Sequence, residues 1–486
     1  MTFFGREQSI ADLAGRLSAV RDRGAGSLIA VRGRRQVGKS RLFTEFVERS
    51  GVPYLYFTAV KNAPPSVQLA TLTQELRTST APLPDAEALF ATPPADWRDA
   101  FGRIALSCRD TPAVVVIDEF PWAAAVDPAL EGQLQNAWDK QLQHLPVLLV
   151  LIGSDVTMME RLTEHDRPLF GRAKEVTVRP LNPAECAAAF GAEGARRPLE
   201  AFDVALVTGG YPRLVVDAVR AGGAEAFARE QLQDENSDLV VMGRRSLDSE
   251  FPDARQARRV LSAIGAQPVG LTSFTQVVGR LPEEGGTAHT AVTRAVGILA
   301  DKGVVAVDTP VGAARNSKLR RYRIADPYLR FWFRFVEGQE NHIARGRSDV
   351  AVAAFERGWS SWRGRAVEPL VHEAVSRLAP ELPPCAEAES GIAGSWWTRD
   401  NSREYDIVLP DTSGRKVLLA GSVKWREGAP FTAGDLGRLA EARHDVTGAS
   451  RAALLAVCPA GVEAGVPVDL VLTPSELLAA WTARSA

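Results

Sequence analysis

Short apolar runs alternate with longer amphipathic stretches over the first third of the chain. "SLIAVRG" (27–33), "PYLYFTA" (53–59), "AVVVIDE" (113–119), "PVLLVLIG" (146–153) and "AKEVTVRPL" (173–181) read as strands. Apolar runs without polar alternation belong to strands covered on both faces, which predicts a mostly parallel α/β sheet. Residues 182–250 are Ala-rich and helical in pattern, punctuated by "TGGYP" at 208–212. After 253 the pattern changes to a helix at 254–264, "LTSFTQVVGRL", "TAHTAVTRAVGILADKG" and two strand-like pieces, "VVAVD" and "LRRYRIAD". Beyond 340 come amphipathic helices, then "SWW", "REYDIVLP" and "RKVLLAGSVKW", a helix "FTAGDLGRLAEARHD" and two short strands. There is no internal repeat.

At 486 residues the chain is too long for one ordinary core. The pattern divides it at 1–181, 182–252, 253–335 and 336–486. Net charge is −2, which predicts no polyanion partner for the chain as a whole. Residues 253–347, however, hold 15 Lys and Arg against 8 Asp and Glu. Positive charge gathered in one part of an acidic chain is the footprint of a polyanion site. Cys108, Cys186, Cys385 and Cys458 are far apart, which fits a reducing compartment and argues against a disulfide framework or zinc site. No apolar run approaches the roughly 18 residues of a membrane span, and "MTFFGREQSI" has no signal-peptide pattern, so a cytoplasmic protein with no membrane association is expected.

"GRRQVGKS", from Gly33 to Ser40, matches the phosphate-binding pattern G-x-x-x-x-G-K-[ST]. It follows a strand and opens a helix, as its mechanism requires. Glycines let backbone N–H groups curl around phosphate oxygens, and the helix start adds partial positive charge. Nucleotide is thus expected on Gly33, Arg34, Arg35, Gln36, Val37, Gly38, Lys39, Ser40 and the adjoining Arg41. Lys39 would pair with the β- and γ-phosphates and Ser40 with Mg²⁺. "VVVIDE" adds Asp118 for the metal and Glu119 as general base toward the attacking water.

With these residues in hand, the chain resembles the archaeal-type ATPases, P-loop proteins of the signal-transduction class related to AAA+ proteins. "FFGREQSIADL" resembles their N-terminal box, which implies Arg6 and Glu7 near base and ribose. "LIGSDVTMME" resembles the sensor strand, implying Ser154 near the γ-phosphate. "PLFGRA" resembles the arginine-bearing segment, implying Arg172 as a phosphate-sensing or finger arginine, in its own subunit or across a homo-oligomer. "GGYPRLV" resembles the G-x-P motif, implying Pro212 against the adenine. The fold implied is an α/β P-loop parallel-sheet ATPase with a helical lid at 182–252.

Residues 253–335 resemble a winged helix-turn-helix. "TSFTQVVGRL" supplies its first helix and "TAHTAVTRAVGILADKG" the second, closed by Gly303. Ala291, Val292, Ala295, Ile298 and Leu299 form the expected buried stripe, leaving His289, Thr290, Thr293 and Arg294 to face a groove. "RNSKLRRYR" (315–323) is the wing, with Arg320, Arg321 and Arg323 at phosphates. The same pattern also suits a helical element packed on the ATPase, or a protein-binding winged domain.

The C-terminal part, from about 355, resembles the domain that closes many archaeal-type ATPases, an α/β fold distantly similar to the PD-(D/E)XK nucleases. The resemblance implies a metal site built from Glu368 on "WRGRAVEPLVHEAV", Asp406 on "REYDIVLP" and Lys424 on the following strand. Ser422 stands where the second strand carboxylate belongs, so a hard cation loses an anionic ligand. The expectation is a weakened site retained for binding. Taken together, the sequence predicts ATP and Mg²⁺ as ligands and a nucleic acid, DNA first, as partner. The alternative is a nucleotide-dependent switch or scaffold acting on protein partners, without nuclease activity.

Overall fold

The computed structural model describes residues 3–154, 156–250, 255–267, 272–281, 288–314 and 317–482. The chain forms two compact units, Met1–Pro180 and Leu181–Ala486.

The first unit is an α/β layer structure around five parallel strands: β1 (Ser27–Arg32), β2 (Tyr54–Thr58), β3 (Ala113–Asp118), β4 (Val147–Ile152) and β5 (Ala173–Thr177). Their order is β2-β3-β4-β1-β5. Every residue of β3 and β4 is buried, which is why these two segments read as unbroken apolar runs. β5 is a largely exposed edge strand, which explains its polar pattern. Helix Lys39–Arg49 buries Leu42, Phe43, Phe46 and Val47 on one face, and Trp97 stacks on Phe101 beside Phe57. Each such side chain contributes roughly 1.5–3 kcal/mol on burial. Parallel strands share one carboxyl edge, so the segments leaving β1, β3 and β4 emerge side by side.

The second unit opens with a helical region, Pro183–Ala188 to Asp238–Glu250, whose first helix carries a capping box between Asn182 and Glu185. Helices Arg255–Gly265, Phe274–Val278 and Ala288–Asp301 follow, with an antiparallel sheet of β6 (Thr272–Ser273), β7 (Val305–Asp308) and β8 (Arg321–Ile324) in the order β6-β8-β7. Helix Ala288–Asp301 buries Val292, Ala295, Val296 and Leu299, and Gly303 closes it at φ 65°. Ile298, expected in the buried stripe, is 44% exposed. The i, i+3, i+4, i+7 phase from Val292 selects Val296 in its stead. The side chains of His289 and Ala291, and residues 315–316 of the expected wing, lie outside the described residues.

Helix Pro327–Phe335 anchors this region to the helices before it: the Trp332 indole donates to the Val240 carbonyl at 2.8 Å and the Tyr328 hydroxyl to that of Leu239 at 2.9 Å. The stretch expected as one helix around Glu368 is two, Ser348–Ala366 and Glu368–Leu378. Pro369 marks the break, because it has no N–H to donate to the preceding turn and is accommodated in the first turn of the second helix. The last sheet runs β13-β12-β11-β10-β9, with β9 (Gly394–Trp397), β10 (Glu404–Pro410), β11 (Val417–Val423), β12 (Ala453–Val457) and β13 (Leu470–Leu472). β9, β10 and β11 pair antiparallel, and β11, β12 and β13 parallel. The strand quoted for Ser422 and Lys424 is therefore the central one. Among the described residues no helix is long and apolar enough to cross a membrane.

Candidate functional site

The first site forms on the segment after β1. Gly33 has no room for a side chain: a Cβ there would stand 2.4 Å from the Val178 carbonyl oxygen. Gln36 and Gly38 take left-handed backbone, φ 65° and 86°, which curls the loop before helix Lys39–Arg49 begins. Lys39 is buried, and its ammonium donates to the carbonyls of Gly33 at 2.7 Å and Arg34 at 3.0 Å. Burial pulls its pKa down against the opposing pull of Glu119 and Asp118. Arg35, Gln36, Ser40 and Arg41 are exposed, whereas Val37 is buried. Arg6, at the start of helix Glu7–Arg23, is buried and donates to the Val37 carbonyl at 2.9 Å, so it braces the loop from below. Glu7 faces Arg49 at 3.6 Å.

Asp118 ends β3. One of its oxygens accepts from the Glu119 N–H at 2.8 Å and the other from the Tyr56 hydroxyl at 2.9 Å. The same Tyr56 hydroxyl lies 3.3 Å from the Ser40 carbonyl, so one side chain stands against both residues expected at Mg²⁺. Burial, and then the charge of Asp118, hold the Tyr56 phenol well above its usual pKa, so it stays a donor. Glu119 adopts left-handed backbone at φ 52°, an uncommon conformation for a residue with a side chain. Its carboxylate accepts from the Ser154 hydroxyl at 2.9 Å and the Ser154 N–H at 3.4 Å. Gly153 lets this happen, since a Cβ there would strike Met159 at 2.5 Å and Pro121 at 2.9 Å. Lys39, Ser40, Asp118, Glu119 and Ser154 thus gather along one edge of the sheet. Tyr56 was missed by sequence reasoning, which read only a near-continuous apolar strand there.

Arg172 stands apart from this group in its contacts. Its Nε and Nη2 form a fork on Asp139 at 2.7 and 2.8 Å, and Nη1 donates to the carbonyls of Pro168 and Phe170. The hydrogen bond from Arg172 holds the Asp139 carboxyl below its usual pKa. Pro212 opens helix Pro212–Arg220 in the second unit, after a turn in which Gly209 and Gly210 have φ 63° and 71°.

A second cluster lies on the C-terminal sheet. One Asp406 oxygen accepts from the Ser422 hydroxyl at 3.0 Å and the Val423 N–H at 2.8 Å. Lys424 donates to Ser422 at 2.8 Å and stands 3.9 Å from Asp406. Glu368 is buried, and burial followed by the charge of Asp406 pushes its pKa up to about 8. Arg365, which sequence reasoning missed, reaches Glu368 at 3.2 Å, Glu404 at 3.1 Å and Asp406 at 3.8 Å. Burial opposes its charge, yet Glu368, Glu404 and Asp406 together raise its pKa. Among the described residues no group of three or more His, Cys, Asp or Glu side chains is arranged to hold a metal ion. The only sequence signal for Arg365 was its place three residues before Glu368.

Of the residues expected at nucleic acid, Thr290, Thr293 and Arg294 are exposed on helix Ala288–Asp301. Arg320 is half-buried. Arg321 donates to Glu404 and Asn401, both at 2.8 Å, and lies over the Trp397 ring at 4.2 Å; Arg323 pairs with Asp308 at 2.7 Å. Both guanidinium groups are spent inside the fold.

Comparison with known proteins gives similarity at the level of domains. Residues 3–218 match a family described as an ATPase domain predominantly from Archaea, and residues 332–437 one described as archaeal and bacterial proteins of unknown function. An uncharacterized protein of Methanocaldococcus jannaschii is 22% identical over 429 residues, covering 87% of this chain and 88% of that one. A Walker-type ATPase of Pyrococcus abyssi covers 68% of this chain and 96% of its own at 18% identity, with a TM-score of 0.45. The ORC2 protein of Aeropyrum pernix, in ADPNP–ADP complexes, covers 72% and 95% at 14% identity, with a TM-score of 0.40. The chain thus carries an ATPase domain of the predominantly archaeal kind, with a nucleotide-binding P-loop, and a C-terminal domain of a family whose function is unassigned.

Proposed function

We propose that the protein hydrolyses ATP and couples its nucleotide state to engagement of a nucleic acid, DNA first, through four parts: an ATPase core at 1–181, a helical lid at 182–252, a winged helix at 253–335 and a nuclease-like domain at 336–486. The observation that carries this reading is the convergence of Lys39, Asp118, Glu119 and Ser154 at the carboxyl ends of β1, β3 and β4. Loop amides from Gly33 to Gly38 bind the phosphates, and Lys39 exchanges its two carbonyl partners for phosphate oxygens. Glu119, oriented by Ser154, takes the proton of the attacking water, and ADP and inorganic phosphate leave. Ser40 and Asp118 are the residues that fit Mg²⁺, because Tyr56 stands against both and leaves the Ser40 hydroxyl on an exposed residue. That ion, when bound, neutralises phosphate charge. Arg6 and Glu7 at the nucleoside, Pro212 at the adenine and Arg172 as a sensing arginine complete the assignment, Arg172 after release from Asp139.

The winged-helix reading is supported by three helices packed with a small antiparallel sheet, and the nucleic-acid reading by the exposed Arg280, Arg294 and Lys318. A second reading, a switch acting on a protein partner, is favoured by the internal engagement of Arg321 and Arg323. The deciding measurement is the ATPase rate with and without single- and double-stranded DNA. Stimulation joins the engine to the basic region; an unchanged rate, together with salt-insensitive association, sinks the nucleic-acid reading in favour of the protein partner.

A further inference from the structure

The cluster on the C-terminal sheet has most of the side chains of a metal-dependent phosphodiester-cleaving centre and a different electrostatic solution. Glu368, Asp406 and Lys424 converge, and Glu404 joins them from two residues along β10. A single nitrogen of Arg365, Nη1, lies 3.2 Å from Glu368, 3.1 Å from Glu404 and 3.8 Å from Asp406. That is where a divalent ion would have to sit to collect the same oxygens. A guanidinium is permanently protonated, accepts no ligand and activates no water.

The remaining contacts point the same way. The Asp406 oxygen turned from Arg365 already accepts from Ser422 and from the Val423 N–H. Glu404 is shared with Arg321 of β8, whose guanidinium also covers Trp397 of β9. Arg330, fully buried nearby, donates to the Arg365 and Ala366 carbonyls at 3.3 Å and so fixes the backbone from which Arg365 projects. A divalent ion does not fit this arrangement unless Arg365 leaves.

We propose that Arg365 is the resident cation of this centre, and that the centre is an ionic joint fastening β8 and helix Ser348–Ala366 to β10 rather than a metal site that cuts nucleic acid. The inference rests on the nuclease-like reading of the sheet and departs from it in the chemistry.

The test is Mn²⁺ uptake by the full, nucleotide-free chain, counted by electron paramagnetic resonance, with Asp406→Asn subtracting any contribution from the first unit. Wild type and Asp406→Asn are expected to bind the same amount. Arg365→Ala is expected to take up about one more ion per chain, lost again when Asp406→Asn is added. Wild-type uptake that exceeds Asp406→Asn by one ion overturns the inference while the nuclease-like reading stands. A folded Arg365→Ala chain with no added ion overturns both. Should Arg365→Ala not fold by circular dichroism, the first comparison decides alone, equal uptake upholding the joint.

Discussion

At the scale of single residues, the phosphate loop and its carboxylates separate binding from chemistry. Lys39→Ala removes a buried charge held by the loop carbonyls, and calorimetry with ATP and Mg²⁺ is expected to register no binding. Glu119→Gln keeps the shape and the Ser154 contact but takes no proton. Nucleotide affinity should persist while the steady-state rate falls about a hundredfold or more. Tyr56→Phe tests the residue that sequence reading overlooked: without the hydroxyl that stands against Asp118 and Ser40, the Mg²⁺ concentration for half-maximal rate should rise while ATP affinity without metal holds. The motif residues were legible because a phosphate loop is written in contiguous sequence. Tyr56 was not, because its partner lies across the neighbouring strand, 62 positions away.

At the scale of elements, β1, β3 and β4 could be read almost to the residue, since burial leaves continuous apolar runs, whereas the exposed edge strand β5 ends at Thr177, short of the 173–181 expected. The helix break before Pro369 and the phase of helix Ala288–Asp301 were readable in principle and were misjudged by one step. What no local pattern carries is the convergence of Arg365, Arg321 and Glu404 from three separate elements. Burial beside that convergence gives Glu368 a pH signature. Glu368 binds its proton more tightly in the fold, with its pKa pushed from 4.5 up to about 8, than in the unfolded chain. Its stabilising contribution is therefore full below its ordinary value and is lost as pH rises through about 8. Glu368→Gln should flatten the decline in melting temperature between mildly acidic and mildly alkaline buffer; an unaltered slope would place the titrating group elsewhere. Arg321→Ala should cost the second unit roughly 1–3 kcal/mol, read by denaturant unfolding.

At the scale of the whole molecule, overall charge is a poor guide and its distribution a better one. If the basic surplus of residues 253–347 meets phosphates, affinity for duplex DNA should fall steeply with salt, and Arg294→Ala should shallow that slope by about one counterion. A slope unchanged by the substitution would remove helix Ala288–Asp301 from the contact. Composition alone, with a net charge of −2, suggested no such partner. The place where Gly33 abuts Val178 has a mechanical corollary. The segment that leaves the first sheet at Val178 lies against the first glycine of the phosphate loop, so the loop's backbone path and that segment's are fixed together. A methyl group at position 33 would wedge the two apart and deform the loop before any phosphate reached it.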